Sequence, residues 1–198
     1  MLGMETDSEL IAATLAGDQH AFEKLVERYL KAVYNFVLRL SGSAIDTDDA
    51  VQNTFLNAWS GLSSFKPGGS AKQWLFAIAR NAIMDMLRKR RDIPFSVFED
   101  DEGTNPIADA MTDVAPLPEE VLIRAEQHNT VQALLRELPL SQREILLLHS
   151  VEYMTFAEIG QVLGQSVNTV KSRHLRGIRL LRKLLVEKHQ NDGSARST

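Results

Sequence analysis

The sequence predicts an all-α protein made of two small helical domains joined by an acidic, proline-containing linker. Three observations carry that prediction. Apolar residues recur at spacings of three and four through most of both halves. Prolines and acids concentrate between the halves. No alternating strand pattern and no internal repeat occurs anywhere in the 198 residues. A hydrophobic content of 44% is enough to build packed cores and too high for a disordered chain.

In the first half, Asp18 is placed to cap a helix whose apolar positions are Phe22, Leu25, Val26, Tyr29, Leu30, Val33, Phe36 and Val37, ending near Ser41-Gly42. A second helix is expected to begin between Ser43 and Asp46 and to run through Val51, Phe55, Leu56 and Trp59 to Gly61. Its early acids Asp46, Asp48 and Asp49 suit the positive end of the helix dipole. Ser63 to Ser70, with Pro67, Gly68 and Gly69, reads as a loop. A third helix then carries Trp74, Leu75, Ile78, Ala79, Ile83, Met86 and Leu87 on one side and ends in Arg88-Lys89-Arg90-Arg91.

Residues 92–118 hold four of the six prolines and most of the acidic run, which predicts a linker in which Phe95, Val97 and Phe98 form a local apolar patch. Beyond it, Leu122 to Leu138 is amphipathic and stops before Pro139. Ser141-Gln142-Arg143-Glu144 and Thr155-Phe156-Ala157-Glu158 both match a capping box. The first is expected to open a short helix from Ile145 to His149, and the second a helix that Gly164 ends. A last long helix is expected from about Val167 to Lys188, followed by a structureless tail from Asn191. The resulting domain boundaries are 8–92, a linker at 93–120, 121–188, and a tail at 189–198.

The net charge of −4 conceals a segregation. Lys72 to Arg91 holds six bases against Asp85, Asp92 to Glu126 ten acids against Arg124, and Asn168 to Lys188 seven bases against Glu187. Two basic blocks separated by an acidic one suit two contacts with a polyanion. Other classes find little support. There is no cysteine for a disulfide or thiolate metal site, and the five histidines lie at no metal-ligand spacing. No phosphate loop or nucleophile elbow occurs, so neither metal, cofactor nor catalytic group is expected. The start, Met1 to Ser8, is polar and acidic, and no apolar run spans a bilayer, so a cytoplasmic protein is expected.

Thr155 to Lys183 reads as a helix-turn-helix. Val170, Ile178, Leu181 and Leu185 are expected on the buried side of its second helix. Thr169, Ser172, Arg173, Arg176 and Arg179 fall on the other side, with Lys171 at its edge. Ordinary solvated helix faces mix acids among their bases, and this one has no acid from Asn168 to Val186. In the first basic block Phe65, Trp74, Phe76, Arg80, Asn81, Arg88, Lys89, Arg90 and Arg91 combine aromatics with positive charge, a composition suited to unpaired bases. Phe65, on a Gly-rich loop, would suit the wall of a pocket for a flipped base. Trp74 and Phe76 each suit a hydrophobic core better than a base contact.

Asp46 to Leu56 resembles region 2.2 of the sigma-70 family of RNA polymerase sigma factors. Trp74-Leu75-Phe76-Ala77-Ile78-Ala79-Arg80-Asn81, with Asp85 and Arg88, resembles region 2.4. Leu138 to Leu148, Phe156 to Gly160 and Thr169 to Arg173 resemble region 4. The resemblance covers roughly Ser8 to Leu185 in the family's order, lacks region 1.1 and a folded region 3, and so points to the small extracytoplasmic-function group. It implies two DNA-binding domains and, as partners, core RNA polymerase (β′ clamp and β flap), promoter DNA and an anti-sigma factor. It implies that Asp49, Gln52, Asn53 and Phe55 meet the β′ clamp, although the family usually carries Glu where Asn53 stands. It places Phe65, Lys66, Trp74, Arg80, Asn81, Arg88 and Lys89 at the −10 element. It places Thr169, Lys171, Ser172, Arg173, Leu175, Arg176 and Arg179 at the −35 element. The family often has an aromatic where Ala71 stands.

A stand-alone helix-turn-helix regulator would account for Thr155 to Lys183 but leaves the first half unexplained. A sigma mimic that titrates an anti-sigma protein has no need of the bases on the recognition helix.

Overall fold

The computed structural model describes residues 5–91 and 130–195. They fall into two compact units, one of the helices before residue 92 together with Glu158–Gly164, and one of the remaining residues of the second half.

The first unit begins with a helix that the sequence pattern did not reveal, α1 (Asp7–Leu15). Thr6 and Glu9 form a reciprocal capping box at its start, and Leu10 and Ile11 are buried. Charged contacts pin it to the next helix, α2 (Gln19–Ser41). Lys24 Nζ donates to Glu5 Oε2 at 2.6 Å, Arg28 Nη2 donates to the Glu5 carbonyl at 2.7 Å, and both Arg28 and the Tyr29 hydroxyl donate to the Asp7 carboxylate. Burial, and then the bond to Asp7, push the Tyr29 phenol well above its ordinary pKa.

Asp18 caps α2 as expected, accepting from His20 N at 3.0 Å, and Gly42 closes it with φ 73°. Its buried face is Phe22, Leu25, Val33, Phe36, Val37 and Leu40, whereas Leu30 is exposed. Ser43 caps α3 (Ala44–Gly61), which buries Ala50, Val51, Thr54 and Ala58. Leu56 and Trp59, through which the helix was expected to run, are exposed. A single 3-10 turn, Leu62–Ser64, leads through the glycine loop to α4 (Ala71–Arg91). This helix buries Leu75, Phe76, Ala79, Ile83 and Met84. Met86 and Leu87 are half-buried. Phe36 and Phe76 meet at 5.2 Å between ring centroids.

In the second unit α5 (Thr130–Glu137) stops ahead of Pro139, as the pattern predicts. The box expected at Ser141 to Glu144 does not form. Helix α6 (Leu140–Ser150) starts earlier, with Pro139 as its cap, and the Pro139 carbonyl takes Gln142 N and Arg143 N. Pro139 blocks helix before it and is itself accommodated at a helix start. Glu144 therefore lies inside the helix, buried, instead of folding back on the cap.

Helix α7 (Phe156–Leu163) follows, and Gly164 (φ 66°) ends it. The last helix, α8 (Val167–Ala195), runs seven residues past its expected end at Lys188. The tail expected from Asn191 thus enters the helix, because extending an existing helix avoids the cost of nucleation. The expected linker 93–120, its patch of Phe95, Val97 and Phe98, and residues 121–129 and 196–198 lie outside the described residues. Among the described residues no helix is long and apolar enough to cross a membrane.

Candidate nucleic-acid interface

The start of α8 is shaped by Ser166. Its hydroxyl accepts from Thr169 N at 3.1 Å and lies 2.8 Å from Thr169 Oγ1, and its carbonyl takes Val170 N. From this cap the helix presents Lys171, Arg176 and Arg179 to solvent, with Thr169, Ser172 and Leu175 half-buried beside them. The Ser172 hydroxyl donates to the Thr169 carbonyl at 3.0 Å, and Arg176 Nε reaches the Ser172 carbonyl at 3.5 Å. Lys183 pairs with Glu187 one turn on, at 3.8 Å.

Arg173 departs from expectation: it is 8% exposed and lies on the buried side, with its Nε lacking a hydrogen-bond partner. The reason lies at Gly177, one turn on, which is buried against Leu146 and Gln142 of α6. That close approach turns the helix so that Val170, Arg173, Gly177, Ile178 and Leu181 face inward, and the Arg173 stem is packed. Leu185, expected inside, is half-buried.

Three rings join the helices around α8. His149 of α6 stacks on Phe156 of α7 at 4.5 Å, and His174 of α8 meets both, at 4.9 Å and 5.1 Å. His149 Nδ1 donates to the Met154 carbonyl at 2.8 Å, which fixes its ring. Burial, followed by the neighbouring His149, lowers the His174 pKa to about 4. No local spacing signals this cluster, because its members come from three separate helices. Among the described residues no group of three or more metal-ligating side chains comes together.

On α4, Trp74, Asn81 and Arg88 lie about two turns apart on one line of the helix. Asn81 and Lys89 are exposed, and Arg80 and Arg88 half-buried. Arg80 Nη1 donates to Asn81 Oδ1 at 3.5 Å, and Arg88 donates to Asp85 at 2.8 Å. Phe65 and Trp74 are partly buried against the core of the first unit and pack edge on, 5.3 Å between centroids. Phe76 is fully buried, and Lys66 is exposed on the loop. Ala71 is buried in the same core cluster.

On α3, Asp49, Gln52 and Asn53 are exposed as expected, whereas Phe55 is half-buried against the core. The sequence reading missed what lies beside them. Ile45, Leu56 and Trp59 are exposed, Leu56 at 56%, and the Trp59 ring also meets Phe22 edge on, 4.9 Å between centroids.

Residues 25–93 match the model of sigma-70 region 2, and residues 128–181 that of sigma-70 region 4. The chain is 32% identical over 171 residues to the ECF RNA polymerase sigma factor SigW of Bacillus subtilis (strain 168), covering 85% of this chain and 91% of that protein. Among solved structures it is similar to CnrH, seen in complex with the cytosolic domain of CnrY, with 28% identity, a TM-score of 0.68, and coverage of 92% of this chain and 99% of that one. It is similar also to the sigma factor RpoE in complex with the anti-sigma factor NepR from Bartonella quintana. There identity is 28%, the TM-score 0.61 and coverage 83% of this chain and 96% of that one. The chain belongs to the sigma-70 family and, within it, to the extracytoplasmic-function RNA polymerase sigma factors.

Proposed function

We propose that this sigma factor binds core RNA polymerase and directs it to promoters through two separate DNA contacts. The observation that carries the reading is the face of α8. Lys171, Arg176 and Arg179 stand exposed on a capped helix that follows a short helix and a glycine turn, with no acid among them. A helix of that kind fits the major groove, where its early residues reach base edges and its later ones phosphates. Lys171, Ser172, Leu175 and Arg176 would read the −35 element, with Thr169 and Arg179 flanking. Arg173 is left to structure by its burial.

Residues 8–92 would serve as region 2, 93–120 as the linker and 121–188 as region 4. The α4 line of Trp74, Asn81 and Arg88, with Phe65, Lys66, Arg80 and Lys89 nearby, would take the −10 element as it unpairs. Because Phe65 and Trp74 hold each other in this state, a base entering between loop and helix has to displace one ring. The exposed side of α3, with Ile45, Leu56 and Trp59 among Asp49, Gln52 and Asn53, has the composition of a protein interface and would dock on the β′ clamp. The β flap would hold the second unit. RpoE was captured with the anti-sigma factor NepR and CnrH with the cytosolic domain of CnrY, and an anti-sigma factor is proposed to control this chain likewise. It would act in the cytoplasm and carry no catalytic group or cofactor, polymerisation belonging to its partner.

Run-off transcription with core polymerase on a pool of genomic promoters tests the proposal. Specific transcripts that appear only when the protein is added support it. No transcripts, together with tight duplex binding by the protein alone, would make it a stand-alone regulator.

A further inference from the structure

Tyr153 is the only non-glycine residue with positive φ (56°) among the described residues. It sits in the loop between α6 and α7, and everything around it is tied down. Val151 N and Glu152 N both donate to the Leu147 carbonyl, at 3.0 Å and 3.2 Å, and Met154 N donates to the Leu148 carbonyl at 3.0 Å. The Met154 carbonyl is held by His149, and the side chains of Glu152 and Met154 are buried. Tyr153 is the residue turned out of this knot, 77% exposed. The left-handed region is strained for a tyrosine and free for glycine. Packing offers no reason for a large ring here, since the ring buries little.

We propose that Tyr153 is a contact for the DNA backbone, its phenol donating to a phosphate oxygen beside the −35 element. The proposal rests on the reading in which α8 enters the major groove. When a three-helix variant of the helix-turn-helix docks, the loop between its first two helices meets the backbone. The α6–α7 loop occupies that place in the chain order, and tyrosine hydroxyls are common phosphate donors. The acid-free face of α8 favours a polyanion over a protein as the occupant. A rigid loop supplies the contact with its ordering cost already met in the free protein.

The test measures equilibrium binding of holoenzyme, assembled from the full chain and core polymerase, to promoter duplexes recovered by run-off transcription. Tyr153→Phe, Tyr153→Gly and Arg176→Ala are compared over a salt series. Tyr153→Phe and Tyr153→Gly are expected to weaken binding about three- to tenfold, equally on promoters of different −35 sequence. The salt slope should stay parallel to wild type, because a neutral hydroxyl releases no counterion. Tyr153→Gly should at the same time unfold at a higher temperature, which separates the loss from misfolding. Wild-type binding by both tyrosine variants, with Arg176→Ala still impaired, overturns the contact and leaves the α8 reading standing. Wild-type binding by all three overturns both. A loss with Gly but not Phe overturns the hydroxyl contact in favour of the ring, and failure to assemble with core places Tyr153 against protein instead of DNA.

Discussion

His149 and His174 meet edge to face, their ring centroids 4.9 Å apart and their planes at 87°. The pair comes from α6 and α8, and Phe156, at the start of the helix between them, touches both rings. Protonation of His174 would place a charge in that junction beside a second imidazole.

Acid should therefore loosen the second unit. The His174 pKa is lowered to about 4 in the fold against 6.5 for the free group, so the unfolded chain binds more protons between those values. Stability is complete above about pH 6.5 and falls as pH drops toward 4. Solvent reaching the half-buried ring reduces the loss to about 1 kcal/mol at pH 5. Amide exchange across α6 and α8 at pH 7.5 and pH 5 measures it. His174→Phe, which keeps the ring and removes the titration, should lose this part of the dependence; an unchanged profile would assign the effect to other groups.

Gly177 should resist enlargement. A Cβ there would meet Leu146 Cδ1 at 3.2 Å and Gln142 Cβ at 3.3 Å. Gly177→Ala gains helix propensity against a contact tight by a few tenths of an ångström and should be nearly neutral. Gly177→Val overpacks the junction and should cost about 1–3 kcal/mol. Thermal unfolding of the two variants compares them directly.

Asp7→Ala should release α1. Arg28 is left with the Glu5 carbonyl alone of its two acceptors on this segment, and the Tyr29 hydroxyl, partly buried, loses the Asp7 carboxylate. Amide exchange in Asp7–Leu15 should quicken about 10- to 100-fold while α3 and α4 exchange as before. Equal quickening throughout the first unit would show that α1 unfolds only with the rest.

Arg176→Ala should relax promoter choice at one −35 position and remove about 1–3 kcal/mol of binding if the guanidinium reads a base. Sequencing of run-off products from a randomised −35 pool gives the answer. A uniform loss over all sequences would move Arg176 to the phosphates.

Where the fold was legible, the signal was local. Asp18, Ser43, Gly42 and Gly164 act on their immediate neighbours, and the helices that they bound were read correctly. Helix α1 was not legible because its support comes from Lys24, Arg28 and Tyr29 on another helix. Arg173 was misplaced because the inward face was drawn from apolar residues alone, whereas Gly177, with no side chain to register, sets the rotation of α8. The box at Ser141 to Glu144 had the right residues in a helix that Pro139 had already begun. On the candidate site, the exposed bases of α8 stand where periodicity put them. The outward turn of Leu56 and Trp59 depends on how α3 packs against α2 and α4.

Arg88 already holds a carboxylate, that of Asp85 one turn before it on the same helix, at 2.8 Å. If it moves to a phosphate it exchanges one anion for another and strands an acid beside the nucleic acid, where a cation from solution must come in to neutralise it. The ions released from the DNA and the ion taken up by Asp85 then partly cancel. The −10 contact would accordingly show a shallower dependence on salt than a count of its basic residues implies, and the melting step would tolerate changes in ionic strength that weaken the grip of α8.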